Sequence, residues 1–143
     1  MSEHIAKIHW VKKGDFSHEG FDRTHISEFY PNCTISMAGA NNGESADPEQ
    51  MFAASLSSCH MQTFLLLAAK KRLVVESYED MAIALLSKNE EGLFFIEKIT
   101  LNPKVVFSSD KPVSEEAIQK MHDKAHHHCF IANSINCEVE INL

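Results

Sequence analysis

Positive charge is scarce in this chain. Only two arginines occur, Arg23 and Arg72, against a net charge of −7. Proteins that hold nucleic acid through its phosphates need the opposite balance, so no nucleic-acid partner is expected. The one dense basic stretch, Lys70-Lys71-Arg72, falls where a helix should end, and cations there suit the helix dipole. No internal repeat, low-complexity stretch or linker appears, so the 143 residues are read as a single domain, 1–143. The first residues lack the charged-then-apolar pattern of a secretory signal, which predicts a cytoplasmic protein whose four cysteines rest as thiols. An apolar run over 51–69 is long, yet it carries three serines, a histidine, a glutamine and a threonine. It therefore reads as a core helix and not as a membrane span.

What is present is a series of short patterned segments. Residues 4–11 alternate as a strand, and 16–30 read as a loop with a short strand. Residues 33–37 alternate cleanly, with Cys33, Ile35 and Met37 on one face; a Gly/Asn-rich loop over 38–46 follows. Asp47 is placed to cap a helix, with Pro48 at its first position and Gln50 completing a capping box. That helix should reach about residue 70, and it is apolar around most of its circumference, which predicts a central position. Residues 76–87 and 93–107 read as two long strands joined by a turn at 89–92, with Pro103 marking an edge or a bulge. A second helix should begin at Ser114 and end near His127. Along 134–143, Ile135, Cys137, Val139 and Ile141 face one way, and Asn136, Glu138 and Glu140 the other. The plan is α+β, an antiparallel sheet with a long buried central helix. One sheet of this size cannot wrap such a helix on every side, so a homodimer is expected.

The cysteines fall into two kinds. Cys33 and Cys137 sit in register with apolar strand faces and read as small packing groups. Cys59 lies mid-helix beside Ser57, Ser58 and His60, polar neighbours that suggest a helix face looking into a small polar pocket. A thiol reacts as thiolate, and burial opposes that form unless a cation or hydrogen-bond donors offset it. Cys129 follows His126, His127 and His128 at the edge of a turn, a position suited to a thiol that moves. His122 and His126 share a helix face and, with Cys129 and His60, raise a Cys/His metal site as one reading. Histidines at a helix C-terminus are equally favourable without metal. Glu49, in the first helical turn, lies ten residues before Cys59 and on another face, so it is no base for that thiol. It can orient an arginine instead. Arg72 is at the wrong helix end, which leaves Arg23.

With those residues in view, DPEQMFAASLSSCH over 47–60 resembles the NPEELLAAALASC helix of the OsmC/Ohr thiol peroxidases. AHHHCFIANSI over 125–135 resembles that family's second cysteine segment, and the element order agrees along nearly the whole chain. The resemblance implies an intertwined homodimer that reduces organic hydroperoxides with two cysteines and no metal or other cofactor. It implies a peroxidatic role for Cys59, a resolving role for Cys129, and an arginine anchored by Glu49, for which Arg23 is the candidate. A dithiol, of lipoyl type in some members, regenerates the thiols. Two positions depart from the pattern: Phe130 stands where a proline is frequent, and His60 where an apolar residue is usual. Those departures set this chain in a divergent branch and leave two alternatives beside the peroxidase, a non-catalytic redox sensor or binding protein and the Cys/His metal protein.

Overall fold

The computed structural model describes residues 1–40 and 42–143. Backbone contacts gather the chain into two compact units, Met1–Met51 and Phe52–Leu143. Part of the loop expected at 38–46 lies outside the described residues, at position 41.

In the first unit, β1 (Ala6–His9), β4 (His25–Phe29) and β5 (Cys33–Met37) form an antiparallel sheet in the order β1-β4-β5. The short strands β2 (Phe16–Ser17) and β3 (Gly20–Phe21) make a separate hairpin, where only one short strand was expected. Trp10, Phe16 and Phe21 pack on one another around it. β5 has the bounds its alternation predicts, and Met37 is buried, with Ser27 Oγ donating to its sulfur at 2.8 Å. Cys33, expected on the same packed face, is exposed. It is the first residue of β5, opposite Phe29 at the end of β4, where the sheet no longer covers it.

The helix α1 (Pro48–Lys70) starts at the end of this unit. Its capping box is formed: Gln50 N donates to Asp47 Oδ1 at 2.7 Å, and Asp47 N donates to Gln50 Oε1 at 3.0 Å. It ends on Arg72, whose φ of 58° places a non-glycine residue in the left-handed region. The amides of Arg72 and Leu73 close the end by donating to Ala69 and Ala68 carbonyls. Within the chain α1 buries a single stripe, Ala53, Leu56, His60, Phe64 and Ala68, at helical spacing. Its other apolar residues, Leu66 among them, stay exposed.

In the second unit the two long strands of the sequence reading each split in two. β6 (Val75–Asp80) pairs with β9 (Pro103–Phe107), while β7 (Ile83–Lys88) pairs with β8 (Phe94–Leu101). The break has a local cause. Asp80 Oδ1 accepts from the Asn102 amide at 2.7 Å, and Asn102 Nδ2 donates to the Met81 carbonyl at 2.9 Å. Side chains thus replace the ladder at this corner, and Pro103, with no N–H, opens the next strand. The turn at 89–92 forms as expected, with Gly92 at φ 79° and Asn89 Oδ1 accepting from the amides of Glu91 and Leu93.

Helix α2 (Glu115–His128) is capped by Ser114, whose hydroxyl accepts from Ala117 N. The last strand, β10 (Glu138–Ile141), then pairs with β8 in parallel, giving the order β10-β8-β7. That departs from the expected run of antiparallel hairpins. β9 and α2 lie between the two strands in sequence and supply the crossover a parallel pair requires. Two apolar clusters result. One holds Ala53, Leu56, Ile99, Leu101 and Cys129, with Cys137, Val139 and Ile141 packed against it as the alternation of β10 predicts. The other holds Phe64, Ala68, Met121 and Ala125.

Candidate active site

Cys59 stands one residue before His60, at the flank of the buried stripe of α1, and is half-buried against the first apolar cluster. Cys129 terminates α2 as its C-cap, its amide donating to the His126 carbonyl at 3.3 Å. Its side chain is fully buried. The turn that follows is fixed at several points. Ala132 N donates to Cys129 Sγ at 3.4 Å, Asn133 N to the Cys129 carbonyl at 3.0 Å, and Asn133 Nδ2 to the His127 carbonyl at 3.2 Å.

The two cysteines are neighbours in this corner. Cys59 packs against the cluster that holds Cys129 and acts on its thiol, and both are free. Burial first, and then the Cys59 neighbour, pushes the Cys129 thiol up to about 11. Cys129 therefore keeps its proton at neutral pH. Cys129 thus sits at the helix-to-turn edge expected from the sequence, in a turn held by hydrogen bonds.

The other two sequence candidates lie in the first unit. Glu49 occupies the first turn of α1 and is partly buried. Arg23 is exposed, its guanidinium carbon 5.0 Å from the centroid of the Phe21 ring. Gly39 lies against its stem: a β-carbon at that position would come within 3.3 Å of Arg23 Cδ. Among the described residues no ion pair joins Arg23 to Glu49.

Of the polar neighbours of Cys59, Ser57 and His60 serve partners on other elements, whereas exposed Ser58 bonds along its own helix. Ser57 Oγ donates to Asp80 Oδ2, which ties α1 to the β6–β9 corner. Ser58 Oγ accepts from Gln62. His60 is buried and meets His122 of α2, Nε2 to Nδ1, at 2.9 Å; the two rings lie within 5° of parallel. Phe64 stacks on His122 with centroids 4.3 Å apart. Burial lowers both imidazoles to about 4, so the pair is neutral at physiological pH. Tyr78, near His122, is pushed well up by burial and then by Asp80. The remaining ring nitrogens, His60 Nδ1 and His122 Nε2, are buried without a hydrogen-bond partner.

That arrangement also bears on the metal reading. The facing nitrogens of His60 and His122 are consumed by each other. Among the described residues no three His, Cys, Asp or Glu side chains converge to hold an ion. His60 and His122, grouped in the sequence as candidate metal ligands, do come together, but as a hydrogen-bonded pair; Asp80 and Tyr78 were missed. The usable signal was His60 itself, an imidazole inside an apolar stripe that needs a polar partner on whatever packs there.

Residues 39–143 match the OsmC-like protein family. The chain belongs to that family. An OsmC-like protein of unknown function from Vibrio cholerae is 39% identical, with a TM-score of 0.93 over 99% of both chains. An organic hydroperoxide resistance protein OsmC from Legionella pneumophila is 20% identical, with a TM-score of 0.72 over 100% of this chain and 96% of that one. The organic hydroperoxide resistance protein OhrB of Bacillus subtilis is 21% identical, with a TM-score of 0.66 over 97% of each. At such identities the last two establish a shared fold. Among curated proteins none matches the chain. Cys59 on α1 and Cys129 at the C-terminal end of α2 both fall within the matched region.

Proposed function

We propose that this protein is a two-cysteine peroxidase that reduces organic hydroperoxides. The observation that carries this reading is the contact between two free thiols of unequal setting, half-buried Cys59 and fully buried, protonated Cys129. The Cys59 thiolate attacks the terminal oxygen of the hydroperoxide and becomes a sulfenic acid, while the O–O bond breaks and the alkoxide leaves as the alcohol after protonation. Cys129 then attacks the Cys59 sulfur. Its proton and the sulfenic hydroxyl leave as water, and a disulfide remains. An external dithiol, oxidised to its own disulfide, returns both thiols.

Arg23 is proposed to stabilise the thiolate and the departing alkoxide, an electrostatic role, and Glu49, unpaired with it in the single chain, is proposed to orient it in the working site. Phe130 is exposed beside Cys129, and Phe52 packs against the thiol cluster; both favour an organic over a small hydrophilic peroxide. Phe64, the other aromatic candidate for that task, belongs to the second cluster and stacks on His122 instead. A homodimer is part of the proposal. Ile83, Leu85, Leu86, Phe94 and Phe95 of the β7–β8 hairpin are exposed in the single chain, apolar side chains that a second copy would cover.

The test is one equivalent of cumene hydroperoxide added to reduced protein, with disulfides mapped by mass spectrometry. A rapid Cys59–Cys129 bond, absent in Cys59→Ser, and many turnovers with a dithiol are the expected results. Thiols that stay free refute the peroxidase. One turnover per subunit assigns the disulfide to sensing.

A further inference from the structure

Helices α1 and α2 carry the two thiols, and most of what holds one to the other is apolar: Phe64 and Ala68 against Met121 and Ala125. Such contacts are non-directional, and alanine tolerates small slides and rotations. Among the described residues only one side-chain hydrogen bond joins these helices, that between His60 and His122 at 2.9 Å. It is also set rigidly. Both residues are buried, the rings are nearly parallel, and Phe64 covers one face of His122.

Its position matters. On α1 it lies one residue after Cys59, and on α2 it lies seven residues before Cys129. Seven residues are about two turns, so His122 and Cys129 fall on nearly the same side of α2, about 10 Å apart along its axis. A slide or rotation of α2 that breaks the imidazole contact must also displace the Cys129 sulfur from Cys59. Two apolar side chains would fill the same space without leaving His60 Nδ1 and His122 Nε2 unpartnered, so what the histidines add is direction rather than burial energy.

We propose that the His60–His122 hydrogen bond is a positioning device for the thiol pair, fixing the register of α2 against α1 so that Cys129 Sγ can close on Cys59. For its place in catalysis the proposal rests on the peroxidase reading. There it governs the second step, in which Cys129 S–H and Cys59 S–OH give the disulfide and water, and leaves the first step alone. A Cys59 sulfenic acid whose partner is misplaced lives longer and is oxidised further by a second peroxide to the sulfinic acid.

His122→Phe keeps the ring and its stacking on Phe64 but removes the hydrogen bond. His122→Asn restores it, because the asparagine amide reaches about where Nδ1 of histidine lies. Two measurements are made on the full chain. Equilibration in a glutathione redox buffer, with no peroxide, reads the tendency of Cys59 and Cys129 to pair. Reaction with cumene hydroperoxide separates sulfenic acid formation, trapped by dimedone, from disulfide closure.

His122→Phe is expected to lower the pairing constant and the closure rate at least tenfold and to accumulate sulfinic acid, with sulfenic acid formation within twofold of wild type. His122→Asn should recover both to within threefold. Wild-type pairing and closure in folded His122→Phe overturn the proposal, as does equal loss of both steps. If His122→Phe does not fold, His60→Leu is judged by the same criteria. If wild type is inert to peroxide, the peroxidase reading fails while the glutathione equilibrium still decides the role of the histidines.

Discussion

Acid should unfold this protein through His60 and His122 before it does so through its carboxylates. Each imidazole lies at about 4 in the fold, and burial is the first cause in both. In the unfolded chain each returns to about 6.5. Between those values the unfolded state binds more protons than the native one, so stability falls as pH drops from 6.5 toward 4 and is unaffected by the pair above about 7. At pH 5 the unfolded chain holds nearly one extra proton per histidine. The difference from pH 7 then comes to about 2 kcal/mol for each, or about 3 kcal/mol for the two after allowance for solvent screening. The charged surroundings act in opposite senses. Asp123 and Asp80 raise His122, whereas His126 lowers His60 further, and Tyr78 next to them stays un-ionised. Urea unfolding at half-unit steps from pH 7.5 to 5, at one protein concentration, should give wild type a steeper fall than His60→Leu/His122→Phe by about that 3 kcal/mol. All other ionisable groups are common to the two proteins and cancel in the comparison. Parallel curves would show that the imidazoles are not held neutral and would remove the physical basis of this account.

Three further outcomes follow from single contacts. Asp80→Ala leaves the Ser57 hydroxyl and the Asn102 amide without their acceptor and should lower stability by about 2–3 kcal/mol in urea unfolding, with Asp80→Asn milder. Arg72→Gly relieves the left-handed backbone at the end of α1 and should raise stability by about 0.5–1 kcal/mol, the net of relief and the extra chain entropy of glycine. Arg23→Ala should slow cumene hydroperoxide reduction about a hundredfold, and unchanged turnover together with unchanged reactivity of the Cys59 thiol would dismiss Arg23 from the site.

Local chemistry was what the sequence disclosed. Asp47, Pro48 and Gln50 mark the start of α1 because all the partners of a capping box lie within four residues, and the box formed as read. Asn89 and Gly92 mark their turn for the same reason. The adjacency of Cys59 and Cys129 followed from the resemblance to OsmC proteins, not from any spacing. What stayed hidden needed partners distant along the chain. Ser57 finds Asp80 across 23 residues, and the grouping of His60 with His122, read as a metal site, gave no sign that the two imidazoles would bond each other across 62. Alternation cannot reveal that Asp80 and Asn102 would divide two strands into four, nor that β10 would arrive parallel to β8. Cys33 shows the converse limit: its register was right, but a strand end offers nothing to pack against.

The parallel pairing of β8 and β10 has a consequence for how the chain is made. Lys98 meets Glu138, so the partner of β8 is synthesised 40 residues later. At ordinary translation rates that is an interval of about 2–8 seconds. Throughout it, the edge of β8 that carries Ile99 and Leu101 has no strand to cover it, and an uncovered apolar edge is where a nascent chain recruits the wrong neighbour. Cys59 waits longer still, 70 residues or about 4–14 seconds, for Cys129, which is made only nine residues before Glu138. The thiol pair is thus assembled among the last contacts of the newborn protein, and a ribosome that stalls inside α2 releases a chain with a single unpaired thiol on α1 and an open sheet edge.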